Sequence, residues 1–147
     1  MGPVGTGKTT LAILVSKAAL AAGRSVAIYS LPRLLNEIRD THRAERSHLE
    51  LLDRLTAVDL LHIDDVGAER TTDWALEELY SIVNARYESE RAIVATTNLM
   101  PDELSDRLGA RTVSRLVEIC GDLIPLFGED RRREFRAQTS EISQHAG

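Results

Sequence analysis

Eight consecutive residues near the start of the chain, Gly2-Pro3-Val4-Gly5-Thr6-Gly7-Lys8-Thr9, fit the spacing G-x-x-x-x-G-K-[ST] without a gap. The chemistry served by this spacing is the cradling of phosphate. Glycines at positions 2, 5 and 7 permit backbone conformations that a Cβ forbids. Successive N–H groups can then turn inward onto anionic oxygens, at the positive end of the helix that follows. A lysine at position 8 reaches the β- and γ-phosphates as a point charge, and a hydroxyl at position 9 is a ligand for Mg²⁺. Gly2, Pro3, Val4, Gly5, Thr6, Gly7, Lys8, Thr9 and Thr10 are therefore the candidate nucleotide-binding residues, with Thr9 also a candidate metal ligand. A Gly-rich turn before an ordinary helix is the plainer alternative. Eight matching positions, followed at once by helix-forming Thr10-Leu11-Ala12-Ile13-Leu14-Val15, favour phosphate binding.

A second signature is Leu60-Leu61-His62-Ile63-Asp64-Asp65. Apolar residues bury a strand, and two acids stand at its tip, the form of a Walker B segment. Asp64 is the candidate Mg²⁺ ligand, usually through water. Asp65 is the candidate that orients or deprotonates an attacking water. The alternative is a solvated Asp-Asp turn, which a phosphate loop upstream disfavours. His62 lies mid-strand and reads as a core or interface residue, not a ligand. Asn98, at the end of Thr96-Thr97-Asn98, is the candidate that holds the water near the γ-phosphate; a turn or helix cap ahead of Pro101 is the alternative.

Arginines supply further candidates. Arg111 and Arg115, four apart, share a helix face. They could serve the γ-phosphate of a neighbouring molecule, or form a solvated or salt-bridged face, for example with Glu118. Arg86 is a weaker interface candidate. Arg33, Arg39, Arg43 and Arg46 could line a channel for single-stranded DNA through phosphate contacts. Glu37, Asp40, Glu45 and Glu50 dilute that charge and no aromatic residue lies nearby, so a solvated helix pair is the competing reading. Arg131-Arg132-Arg133 reads as a solvated run.

These side chains must be positioned by alternating strands and helices. Helix is expected from about Lys8 to Ala22, from Leu31 to Asp40 and from about Ala44 to Leu55, with Thr41 to Ser47 a polar turn. Leu49, Leu52 and Leu55 are the expected core side of that third helix. A long helix capped by Thr71 or Thr72 should reach about Tyr87, with Trp74, Leu76, Leu79, Tyr80 and Val83 as core candidates. Pro101 opens another, Gly109 breaks it, and Arg111 to Cys120 makes the last. Strands are expected at 25–29, 60–63, 91–97 and 123–127, the last carrying Pro125 and so an edge or irregular end. This alternation means a parallel α/β sheet covered on both faces. Ligands in such sheets sit beyond the carboxyl ends of the strands, where Asp64-Asp65, Thr97-Asn98 and the phosphate loop should converge. A phosphate loop is normally delivered by a buried strand. Only Met1 precedes Gly2, so that first strand is missing from the sequence. A fragment or a misplaced start is the favoured explanation, over a working protein with a damaged sheet.

Over 147 residues, 43% hydrophobic and 28% charged, the composition is that of one ordinary globular domain. No apolar run is long enough to span a membrane and no signal peptide opens the chain. The lone Cys120 forbids an internal disulfide, reads as a small buried apolar residue, and points to a cytoplasmic location. A net charge of −5 argues against a broad DNA-coating surface.

The motifs in this order resemble the DnaC/IstB-like branch of AAA+ ATPases. The resemblance is carried by Gly2 to Thr9, Asp59 to Gly67, Ala95-Thr96-Thr97-Asn98-Leu99, Arg111-Thr112-Val113-Ser114-Arg115-Leu116 and Gly128-Glu129-Asp130-Arg131-Arg132. It implies a P-loop NTPase fold of the AAA+ type, here a truncated core over residues 1–133 with a polar tail at 134–147. It implies an ATP- and Mg²⁺-dependent ATPase that turns over slowly. The branch delivers a replicative helicase to single-stranded DNA or assists a transposase. The resemblance also implies a homo-oligomer in the ATP state, with Arg115 as the arginine finger, Asn98 as the residue called sensor 1 and Asp65 beside the metal-binding Asp64. In most related ATPases the second acid is Glu, so Asp65 is one methylene shorter. This branch often carries Asp-Asp there.

Overall fold

The computed structural model describes residues 1–41, 45–68, 72–121 and 123–128, apart from the side chains of Glu45 and Arg46. The elements are α1 (Lys8–Ala21), β1 (Val26–Ser30), α2 (Leu31–Thr41), α3 (Glu45–Ala57), β2 (Leu60–Asp64), α4 (Asp73–Glu88), β3 (Ala92–Ala95), α5 (Pro101–Leu108) and α6 (Ala110–Cys120). Among the described residues the sheet is β1-β2-β3, all parallel. Val26 pairs with Leu60 and Leu60 with Ala92, which brings the carboxyl ends of all three strands to one edge.

The alternation of β2 decides what lies on each face. Leu61 and Ile63 point into the main core with Ile93, below α2, α3 and α4. His62 and Asp64 point to the opposite face, where α1 lies. Helix α2 follows the 3.6 period: Leu31, Leu34, Leu35 and Ile38 are buried, and Arg33 and Arg39 are exposed. Thr72, not Thr71, caps α4, its hydroxyl accepting from the Ala75 N–H at 3.4 Å; Thr71 lies outside the described residues. Pro101 opens α5, and Glu103 reaches back to the Met100 N–H at 2.9 Å.

Four expectations need correction. Of the polar turn expected over 41–47, Thr41 belongs to α2 and residues 45–47 to α3, while residues 42–44 lie outside the described residues. On α3 the buried side is Leu51 and Leu55, whereas Leu49 is 55% exposed. A spacing of three repeated twice rotates progressively off a 3.6-residue face, and Leu51 and Leu55 stay on it. On α4, Ala75, Leu79, Ile82 and Val83 are buried, while Trp74, Leu76 and Tyr80 are half-buried.

The fourth correction is at 123–127, which forms no strand. Its backbone partner among the described residues is Met1: the terminal amine donates to Ile124 O at 2.8 Å and Met1 O accepts from the Leu126 N–H at 2.7 Å. Pro125 stands between those two bonds, where no N–H is needed. On the other side the Gly2 N–H donates to Thr97 O at 3.3 Å. Met1 and Gly2 thus bridge the two runs as a central strand would, over two residues only. Gly2 is required there, since a Cβ would overlap the Leu126 carbonyl oxygen and φ is +145°. Behind this bridge is a cavity of about 220 Å³, lined by Ala12, Val15, Ile93, Leu116, Cys120 and Ile124 among others. Cys120 is exposed as a residue, but its thiol turns inward and donates to Ile93 O at 3.4 Å. Burial pushes that thiol up.

Candidate nucleotide-binding site

The loop from Gly2 to Gly7 runs into α1 through Gly7, whose φ of +87° is left-handed. No side chain caps α1 and no acid stands in its first turn. The positive end of the helix is thus uncompensated, as anion binding requires. Lys8 is buried, and its Nζ donates to Pro3 O at 2.5 Å, folding over the loop. The Thr6 hydroxyl donates to the same carbonyl at 2.9 Å.

The expected convergence is present. The Thr9 hydroxyl, in the first turn of α1, lies 3.0 Å from Asp64 Oδ1 and 3.1 Å from Oδ2. Asn98 Nδ2 donates to Asp65 Oδ1 at 3.4 Å. One hydroxyl and one carboxylate in contact are hard oxygen donors that fit Mg²⁺, which is held by few protein oxygens when phosphates and waters complete the shell. No group of three or more His, Cys, Asp or Glu suited to a metal occurs among the described residues.

The turn after β2 is unusual. Asp65 has φ +55°, left-handed for a residue with a Cβ. Such a conformation costs of order 1–3 kcal/mol and persists where its surroundings hold it. Here the Val66 N–H donates to Thr96 O at 2.8 Å, and the Thr97 hydroxyl donates to Val66 O at 2.7 Å. Gly67 follows with φ +83°, where a Cβ would press on Leu99 and Leu104 side chains at 2.7 and 3.0 Å. The motif read as Asp-Asp-Val-Gly is therefore a tight turn that leaves Asp64 against Thr9 and Asp65 against Asn98.

Below the acids, His62 is fully buried, as the mid-strand position predicts. Its Nδ1 is 3.0 Å from the Ser16 hydroxyl, which also donates to Ala12 O at 3.0 Å. Burial lowers the His62 pKa, against a smaller raising pull from Asp64. The pair ties α1 to β2 two residues before Asp64. Ser16 carries no chemical motif, and only its helical spacing from Thr9 places it on the sheet-facing side.

Arg115 is not brought to this cluster. Its guanidinium lies over the Tyr87 ring at 4.1 Å and pairs with Glu118 at 3.2 Å. The Tyr87 hydroxyl bonds Glu118 too, raising the phenol and lowering the carboxyl. Arg111 lies over Tyr80 at 4.9 Å. The paired face with Glu118 is what one molecule displays, and both arginines remain on the outer side of α6 against α4. Arg86 corrects its reading as an interface residue. It is fully buried and donates to the carbonyls of Leu55, Thr56, Val58, Asp59 and Ala92. Of the basic cluster, Arg33 and Arg39 are exposed on α2, while Arg43 and the Arg46 side chain lie outside the described residues, as do Arg131 to Arg133.

Comparison with known proteins places this geometry. The family model described as IstB-like ATP binding protein matches residues 1–132. The replicative helicase loader DnaC of Escherichia coli (strain K12) is 33% identical over 116 residues, 78% of this chain and 47% of that protein. The solved structure of the DnaC helicase loader superposes with TM-score 0.77 at 26% identity, covering 86% of this chain and 75% of that one. The replication initiator DnaA, solved with AMPPCP and single-stranded DNA, superposes with TM-score 0.77 at 26% identity, covering 87% and 39%. These likenesses and the parallel sheet make the fold that of an AAA+ P-loop NTPase domain. The chain spans about half the length of the curated relatives it matches. By its match over residues 1–132, the chain belongs to the family of IstB-like ATP binding proteins.

Proposed function

We propose that this chain binds ATP with Mg²⁺ and hydrolyses it slowly, as a switch ATPase of the helicase-loader type. The observation that carries this reading is the contact of the Thr9 hydroxyl with Asp64, with Asp65 and Asn98 adjoining. Gly2 to Thr10 hold the phosphates through loop N–H groups, and Lys8 swings from Pro3 O to the β- and γ-phosphates. Thr9 and Asp64 hold the cation, which when bound screens the phosphate charge. Asp65 and Asn98 align the water that attacks. Asp65 is a short acid whose reach its left-handed backbone sets.

By analogy with the helicase loader it resembles, the chain acts on a replicative helicase and single-stranded DNA. The family membership equally suits an ATPase that assists a transposase. In either setting copies associate side by side when ATP is bound, and Arg115 stabilises charge on a neighbour's γ-phosphate. Its position on the outer side of α6, 34% exposed, suits that role. A nucleotide-binding protein without turnover is the competing reading, favoured by the one-methylene-shorter acid.

Turnover decides between them. Steady-state phosphate release should be measurable for the unmodified chain, increase with single-stranded DNA, and vanish in Asp65→Asn while fluorescent-ATP affinity stays within about threefold. Phosphate release by Asp65→Asn equal to the unmodified chain overturns the assignment of Asp65. No release from the unmodified chain under any condition supports the binding-only reading.

A further inference from the structure

We propose that Thr96 is a positioning residue for both acids of the site: its single hydroxyl orients the Asp64 carboxylate and anchors the backbone of Asp65. This rests on the ATP-binding reading above and adds to it a residue outside the phosphate loop and the acid pair.

The geometry is specific. Thr96 is 5% exposed, directly after β3. Its backbone is fixed on both sides, with its N–H donating to Ile63 O at 3.0 Å and its carbonyl accepting from the Val66 N–H at 2.8 Å. A β-branched side chain on a fixed backbone has little rotameric freedom. Its hydroxyl donates to Asp64 Oδ1 at 2.5 Å and accepts from the Asp65 N–H at 3.0 Å. One proton and one lone pair are thereby used, each on a different acid of the pair.

Two consequences follow for the chemistry. Among the described residues, Asp64 Oδ1 takes donors from both Thr9 and Thr96, whereas Oδ2 takes only Thr9. When the Thr9 hydroxyl turns its lone pair to a cation, Thr96 still pins Oδ1. The carboxylate then keeps its plane and offers Oδ2. Asp65, for its part, is held left-handed by the N–H bond to Thr96. Without that bond the turn keeps only the contacts of Val66 with Thr96 O and the Thr97 hydroxyl, and the hold on the Asp65 carboxylate beside Asn98 loosens. Thr97 is engaged elsewhere, because its hydroxyl bonds Val66 O and the Leu99 N–H and touches neither acid. Of two adjacent threonines, only Thr96 reads the acids.

The test separates cation binding from nucleotide binding. Thr96→Val keeps the shape and removes the hydroxyl; Thr96→Ser keeps the hydroxyl and removes the methyl. Metal-free affinity for a fluorescent ADP is measured by titration, and Mn²⁺ affinity of the ADP complex by electron paramagnetic resonance, with no turnover needed. Outer hydrogen-bond partners of metal ligands are typically worth 10–100-fold in metal affinity. Thr96→Val should bind ADP within about twofold of the unmodified chain and Mn²⁺ at least about 10-fold more weakly, with Thr96→Ser restored to within about threefold. Mn²⁺ affinity unchanged in Thr96→Val, or Thr96→Ser as impaired as Thr96→Val, overturns the inference alone. Failure of the unmodified chain to bind ADP overturns the ATP reading and this inference with it. A readout without mutation guards against misfolding of the variants. The Thr96 hydroxyl proton of the unmodified chain should exchange slowly enough with water to be seen by NMR, and rapid exchange contradicts the proposal.

Discussion

Replacing Arg86 by Met should strongly destabilise the protein, although Arg86 lies in no motif. One guanidinium Nη1 donates to Leu55 O at 2.8 Å, Thr56 O at 3.3 Å and Val58 O at 2.9 Å. The other donates to Asp59 O at 3.2 Å and Ala92 O at 2.6 Å. The group thus closes the orphan carbonyls at the end of α3, the connection into β2 and the start of β3. Hydrogen bonds to a charged group are each worth about 1.5–3 kcal/mol, but five of them do not add. Two are long, some of the carbonyls can regain water, and burial of the charge itself costs. That cost shows in its pKa, which burial lowers to about 10. A net loss of about 3–5 kcal/mol is the expectation for removing one side of such a buried arrangement. Against a total stability of about 5–15 kcal/mol, that is about a fifth or more. In urea, with a slope of about 1–3 kcal/mol per molar, the midpoint should fall by about 2 M. Arg86→Lys should recover little, because an ammonium cannot fork to both sides. A midpoint shift equivalent to less than about 1 kcal/mol for Arg86→Met would refute the reasoning.

Other consequences can be tested in parallel. His62 has a folded-state pKa below its unfolded value, so the unfolded chain binds the extra proton. Stability should therefore fall as pH drops below about 6.5, by at most about 1.4 kcal/mol per unit for this one proton, and His62→Gln should flatten that slope between pH 7.5 and 5.5 in urea melts. Filling the pocket behind Met1 should stabilise, because atoms packed against its largely apolar lining remove that surface from water. Five strand-forming apolar residues added ahead of Met1 should accordingly raise the thermal midpoint, and an unchanged melt would show that the cavity is not a strand position. Arg115→Ala should keep ATP affinity and lose DNA-stimulated turnover. Mixed with Asp65→Asn it should regain part of that turnover, since some interfaces then combine an intact Asp65 with an intact arginine. Arginines supplied in trans are worth up to about 10³–10⁵ in rate. Inactivity at every ratio despite confirmed co-assembly would reduce Arg115 to its pair with Glu118.

Much of this arrangement is written in local pattern. The phosphate loop, the acids at the end of β2 and Asn98 beyond β3 are each readable alone, and the rule that parallel strands end at one edge brings them together. The period of α2 is clean because its four buried residues are all aliphatic. What escapes the pattern depends on partners distant in sequence. Arg86 bonds carbonyls on α3, before β2 and at β3, so nothing near it signals burial. Thr96 and Thr97 look alike as text, and only the fold sends one hydroxyl to the acids and the other to Val66 O. The run at 123–127 has strand composition, but pairing needs a neighbour, and here that neighbour is Met1.

In the proposed function, Gly2 to Thr10 bind nucleotide phosphates with Lys8 as the charge that holds them. Titration of fluorescent ATP with Mg²⁺ into the unmodified chain and into Lys8→Ala tests it most directly. Saturable binding is expected for the first and a loss of at least about 100-fold in affinity for the second, the order that follows when a charge-assisted contact of about 3 kcal/mol is removed. Equal, tight binding by both, with Lys8→Ala folded by circular dichroism, would contradict it.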